Sequence, residues 1–120
     1  MPMGYRNLKV WQKAMDCTEA VYKATKSFPK EEAFGLVSQM RRSVISIAAN
    51  IAEGSGRNHS KEFIHFLSIA NGSLRETETH VLIAQRLGYL TDDKTSFLLN
   101  MTEEIGKMMN RLIQSQRKNK

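Results

Sequence analysis

Residues 60–88 read SKEFIHFLSIANGSLRETETHVLIAQRLG, and the fold follows from the spacing of their apolar side chains. Phe63, Leu67, Ala70, Leu74, Thr77, Val81 and Ala84 recur by threes and fours up to Gly88, which is the period of one helical face and of no strand. Ser60 stands where an N-cap belongs. Gly72 costs roughly 1 kcal/mol relative to alanine without ending the helix. Upstream, Ala33, Leu36, Val37, Met40, Val44, Ile47, Ala48 and Ile51 trace a second helix toward Gly54-Ser55-Gly56, a stretch with helix-ending glycine chemistry. Before it, two adjacent stripes run to a break at Phe28-Pro29: Leu8, Trp11, Met15, Thr18, Tyr22 and Thr25, beside Val10, Ala14, Cys17, Val21 and Ala24. Downstream, Thr91 is placed to cap a fourth helix bearing Leu98, Met101, Ile105, Met108 and Leu112.

The spacing predicts helices over 7–27, 30–54, 60–88 and 92–115, with a basic tail over 116–120 that frays. Short connections between helices of similar length make neighbours antiparallel. The expected fold class is therefore all-α, an up-down-up-down four-helix bundle forming one domain over 1–120. Composition agrees: 120 residues suit one core, and 7 Gly with 2 Pro are too few for a turn-rich sandwich or barrel. No apolar leader follows Met1-Pro2-Met3, and no run approaches the ~18 apolar residues of a membrane span. A cytoplasmic location without a membrane partner is the expectation. Cys17, the sole cysteine, has no internal disulfide partner and reads as a small buried apolar residue.

Eighteen Lys and Arg against twelve Asp and Glu leave a net charge of +6, which favours polyanionic partners. Lys107, Arg111, Arg117, Lys118 and Lys120 follow one another with no acid among them, and Lys9 and Lys13 on the first helix extend the surface. These are the candidate RNA- or DNA-binding residues; no aromatic-rich RNA-recognition motif accompanies them. A second surplus is apolar. Ile69, Ile83 and Leu87 fall to one side of the third helix's inner stripe, Ile64 and Leu82 to the other, and the outer face of the second helix reads Arg42, Ser46, Ala49 and Glu53. Clustered aliphatics and small side chains point to self-association, with Arg42, Ser46, Ala49, Glu53, Ile69 and Ile83 as the candidate oligomer interface.

Catalytic patterns are sparse. Glu62 and His65 match one Glu-x-x-His unit of bundle di-iron sites, which need two such units and two further glutamates, so no metal is expected. Arg75 and His80 match the spacing with which some helical ribonucleases hold and protonate a phosphate. Residues five apart nevertheless point about 140° away from each other on a regular helix. A ribonuclease is kept as the remote alternative. Gly54-Ser55-Gly56-Arg57 suits either a phosphate-holding turn or a plain helix connection. Without a nucleophile elbow, P-loop or dinucleotide pattern, the expectation is no enzyme and no cofactor.

Several segments carry a family resemblance: residues 8–14, Phe28-Pro29 with Phe34-Gly35-Leu36, residues 39–43, residues 46–54, then Glu62-Phe63, residues 66–70, Gly72-Ser73, residues 76–78 and Leu87-Gly88-Tyr89. In order and spacing they resemble the four-helix-bundle proteins encoded in intervening sequences of bacterial 23S ribosomal RNA genes. The resemblance covers roughly residues 5–112. It implies a non-enzymatic antiparallel bundle that assembles into a homo-oligomeric ring, commonly a pentamer, in the bacterial cytoplasm. The chain is also similar to the accessory variability proteins of diversity-generating retroelements, which implies a basic barrel that binds nucleic acid and a reverse transcriptase. Arg42, Asn50, Glu53 and Glu78 match the polar positions of the family motif. The expected function is a non-catalytic nucleic-acid-binding oligomer. The alternative is a structural or adaptor ring for a protein partner.

Overall fold

The computed structural model describes residues 4–118, and all its elements are helical. A 3-10 turn, Gly4–Asn7, leads into α1 (Lys9–Thr25), and a second, Lys30–Glu32, precedes α2 (Leu36–Ser55). Helices α3 (Ser60–Arg86) and α4 (Asp92–Lys118) complete a rod of 47 × 22 × 21 Å. Each helix packs on the next and α4 closes on α1, while the diagonal pairs do not meet. That is the up-down-up-down bundle, with α2 and α3 in the most extensive contact.

The core is assembled from one stripe per helix. On α1 it is Val10, Ala14, Cys17 and Val21; the companion stripe of Trp11, Met15 and Tyr22 lies on the flank. Met40, Val44, Ile47 and Ile51 of α2 face Leu67, Leu74 and Val81 of α3, all removed from solvent. Each such side chain contributes about 1.5–3 kcal/mol of transfer free energy. On α4 the buried set is Thr95, Leu98, Thr102, Ile105, Gly106 and Met109, so Met101, Met108 and Leu112 sit only half inside. The stripe is rotated because a glycine at 106 lets α3 approach, with Leu74 and Arg75 lying against it.

The expected bounds of all four helices are corrected. The second helix begins at Leu36, not at residue 30: the 3-10 turn Lys30–Glu32 follows Pro29, and Gly35, at φ −110 and ψ −109, lies outside helical geometry and separates the two pieces. Glu32 links the two pieces: its Oε1 accepts the Leu36 amide at 3.2 Å and its Oε2 accepts the Tyr89 hydroxyl at 2.9 Å. The first helix is shortened to 9–25 by the separate turn at Gly4–Asn7. At the third, Ser60 is the first helical residue, and His59 holds the cap position without a side-chain hydrogen bond. That helix closes at Arg86, with Gly88 at φ +81 allowing the Tyr89 amide to reach the Ala84 carbonyl at 2.9 Å. The fourth does not fray after 115 but continues to Lys118. No glycine or proline follows Gly106, and cations in a last turn are favoured by the helix dipole. Lys120 of the basic tail lies outside the described residues. Thr91 caps as expected, its Oγ1 accepting the Lys94 amide at 3.2 Å.

Candidate functional site

The antiparallel register sorts charge along the rod. Ser46 meets Ser73 across α2 and α3, Gly106 of α4 meets Leu74 and Arg75, and Lys13 of α1 meets Glu104 of α4. One half therefore holds residues 4–10, 46–73 and 107–118. Its cations are Arg6, Lys9, Arg57, Lys61, Lys107, Arg111, Arg117 and Lys118, against two carboxylates, Glu53 and Glu62. The other half, residues 11–45 and 74–106, sets nine cations against ten carboxylates. The net charge of the described bundle is thus gathered at the end where α2 and α4 finish and α3 begins.

At that end the cations differ in freedom. Arg57 donates to Glu53 at 2.6 Å and lies over the Phe66 ring, 4.9 Å from its centroid. Lys107 stands 3.9 Å from Glu103, an exposed pair of the kind that contributes little. Arg6 lies 5.8 Å from the Tyr5 centroid, whereas Lys9, Lys61, Arg111, Arg117 and Lys118 are exposed with neither an ion pair nor an aromatic ring contact among the described residues. Arg111 and Lys118 share a shallow groove of about 460 Å³ on α4 with Asn110, Gln114 and Ser115. Positions 107, 111, 114 and 118 fall on one stripe of the helix. Between the N-terminal turn and the α2–α3 connection, a second polar groove of about 510 Å³ runs past Asn7, Ser55, Arg57 and Asn58. Of the expected binding residues, Lys13 is drawn aside: it spans to Glu104 at 3.3 Å, in the neutral half.

The α2–α3 flank carries the other group. Arg42, Ala49 and Glu53 point outward from α2, and Ile69 and Ile83 are 40% and 41% exposed on α3. Ser46 does not belong to that outer face. It turns into the seam, where its Oγ lies 2.8 Å from Ser73 Oγ and accepts from Asn50 Nδ2 at 2.9 Å. The seam continues as a hydroxyl ladder: Thr77 donates to Ser43 Oγ at 2.8 Å, and Ser43 Oγ meets His80 Nδ1 at 3.2 Å. Glu76 stands 3.8 Å from the far ring nitrogen. Burial holds the His80 pKa below its usual value, and the Glu76 charge opposes that shift. Ser43 is 3% exposed and also donates to the Met40 carbonyl at 3.1 Å, so this hydroxyl ties two helices together.

Arg75 and His80 are not brought together. The Arg75 guanidinium donates to Glu78 Oε1 at 2.7 Å and reaches past Gly106 of α4, whereas His80 faces α2. Glu62 and His65 are both exposed, and no group of three His, Cys, Asp or Glu residues converges among the described residues. Cys17 is fully buried, and desolvation, assisted by the charges of Asp16 and Glu78, pushes its thiol up to about 11. No helix among the described residues is long and apolar enough to cross a membrane.

Two exposed aromatics escaped the periodicity argument, Phe34 on the α1–α2 connection and Phe97 on α4. The available signal was position: an aromatic between Pro29 and Gly35 has no helix face to share.

Residues 6–111 match the family model described as 23S rRNA-intervening sequence protein. The chain belongs to this family. The 23S rRNA-intervening sequence assignment agrees with a solved relative, a protein of unknown function from the S23 ribosomal protein family of Bacteroides thetaiotaomicron VPI-5482. The two share 28% identity at a TM-score of 0.81, over 88% of this chain and 95% of that one. Among curated proteins, no match was found.

Proposed function

We propose that this member of the 23S rRNA-intervening sequence family is a non-catalytic, self-associating bundle that binds RNA or DNA through its phosphates, at the basic end of the rod. The observation that carries the reading is the sorting of charge: eight cations against two carboxylates in one half, near balance in the other. Phosphate contacts are sequence-independent and use exposed Lys and Arg beside amide and hydroxyl donors, which is the composition of the Arg111–Lys118 groove. Self-association is supported by the exposed Ile69 and Ile83 of α3 and by the exposed Ala49 of α2, which lines a groove with Trp11 and Met15. Arg42 and Glu53 at the edge of that patch suit register-setting contacts between copies.

The test is fluorescence anisotropy of a labelled structured RNA and of a DNA duplex, titrated across a salt series. With five free cations engaged, log affinity for duplex falls against log salt with a slope of about −4.5, roughly 500-fold between 50 and 200 mM. An Arg111→Ala, Lys118→Ala double variant flattens that slope by about 2 units. A Lys26→Ala, Arg86→Ala variant at the opposite end leaves it unchanged. No binding at low salt, or equal losses from both variants, overturns the reading in favour of an adaptor for a protein partner.

A further inference from the structure

Phe34 is 99% exposed, the most solvent-accessible large apolar side chain of the bundle, on a connection that is otherwise tied down by Glu32. A bare aromatic knob of this kind buries about 150–250 Å² when covered, and nothing among the described residues covers it. Between α1 and α4 lies the complementary feature, a groove of about 490 Å³ walled by Ala20, Ala24, Leu98 and Met101, with Phe97 60% exposed at its lip. Benzene is accommodated by cavities of about 150 Å³, so a phenyl ring enters this one with room to spare.

We propose that Phe34 of one copy inserts into the α1/α4 groove of a second copy; the inference rests on the self-association reading above and names its contact. Charge favours a second copy as the occupant. Lys30 and Glu31 flank the knob and have no ion pair among the described residues, and the groove's α1 rim offers Glu19 and Lys23, one turn apart and equally unpaired. Each unpaired charge beside the knob finds its opposite on the rim.

Position supplies the geometry. Phe34 stands where α2 begins, and Phe97 lies five residues into α4, about 7.5 Å from the same end of the rod. Knob and groove thus share one level along the axis. Full side-by-side contact follows only when both rods point the same way. Because the two patches differ, the contact is heterologous and repeats from copy to copy, closing as a ring where the rotation allows. The basic ends then gather on one face of the assembly.

The experiment compares light-scattering masses of the parent chain, Phe34→Asp, Phe97→Asp and an equimolar mixture of the two variants, with circular dichroism as the check on folding. Both side chains are exposed, so neither charge disturbs the core. The parent is expected above two copies. Each variant alone associates at least about 30-fold more weakly, the loss typical of a buried aromatic hot spot. In the mixture, the Phe97→Asp chain still offers a knob and the Phe34→Asp chain still offers a groove, so two-copy species return and grow no further. A parent that assembles while Phe34→Asp keeps its full mass refutes the knob and leaves self-association standing. An assembled parent whose mixed variants fail to pair refutes the heterologous contact. A parent that stays single at all concentrations sinks both readings together.

Discussion

Gly54 and Gly72 give opposite predictions for the same substitution, and the difference is fixed by what each helix touches. At Gly54, near the end of α2, an added Cβ falls 2.7 Å from Phe66 Cβ and 2.9 Å from Phe63 Cδ1. The Phe63 ring can rotate away, but Phe66 Cβ is fixed to its backbone, so the helices themselves must part. Alanine gains roughly 1 kcal/mol of helix propensity, and overpacking of a tight contact costs about 1–3 kcal/mol. The separation also loosens Arg57 and Phe66, so the cost is expected toward the upper end. Gly54→Ala should therefore lose about 1–2 kcal/mol, roughly 5 °C in Tm for a chain of this length. At Gly72, mid-helix in α3, nothing lies within 4 Å of the added atom. There propensity acts alone, and Gly72→Ala should gain up to about 1 kcal/mol. Urea titration of both variants beside the parent, at concentrations where all are single copies, provides the measurement. If Gly54→Ala proves as stable as Gly72→Ala, the α2–α3 seam is wider than 2.7 Å implies and the argument fails.

Two titration predictions follow from burial. The Cys17 thiol, raised from 9.0 to about 11, stays protonated in the fold while the unfolded chain ionises near 9.0; stability is intact below pH 9 and falls through about pH 11 by ~2–3 kcal/mol. A Cys17→Ala variant should lack that alkaline component, and a thiol reagent at pH 8 should label the native parent only after denaturant is added. His80 runs the other way, since its folded pKa lies below the ordinary 6.5: stability is present above about pH 6.5 and declines as pH falls from there toward the folded value. Comparing urea midpoints at pH 7.5 and 5.0, His80→Gln should lose less on acidification than the parent. Equal losses would show that the ring is not held neutral between Ser43 and Glu76.

The stripe of α3 was legible because a fully buried helix face must repeat at 3.6 residues, and six of its seven residues are buried. On α1 both adjacent stripes are apolar, so periodicity leaves open which one faces the core, and in the fold Trp11 and Met15 line a flank groove of about 340 Å³ with Ile45 and Ala52. Ser46 was misjudged for a related reason. Helical angles place it near the outer face, but a hydroxyl 2.8 Å from Ser73 reflects how closely α2 and α3 approach, a tertiary distance set by small residues on both helices. The basic residues were legible as types and illegible as a surface. Lys13 and Lys107 look equivalent to Arg111 in the sequence, yet each has a glutamate within reach in the folded chain. Gathering Arg6, Arg57, Lys61 and the α4 cations at one end required the antiparallel register, which joins segments far apart in the chain.

That gathering bears on how assembly and binding act on one another. Rods set side by side and pointing the same way bring like-charged ends together, which opposes association. The rods are about 21–22 Å wide, however, and charges that far apart are largely screened when the Debye length is about 8 Å. The repulsion is therefore weak at physiological salt and rises as salt is removed. A polyanion lying across several ends reverses its sign: each added copy contributes further phosphate contacts to the same strand, so the salt slope steepens with the number of copies engaged. Because the ligand then binds the assembled form more tightly than the single copy, mass action makes it stabilise the assembly. A single bundle with five free cations would grip nucleic acid weakly. In the proposed assembly, the orientation set by Phe34 would turn several weak grips into one.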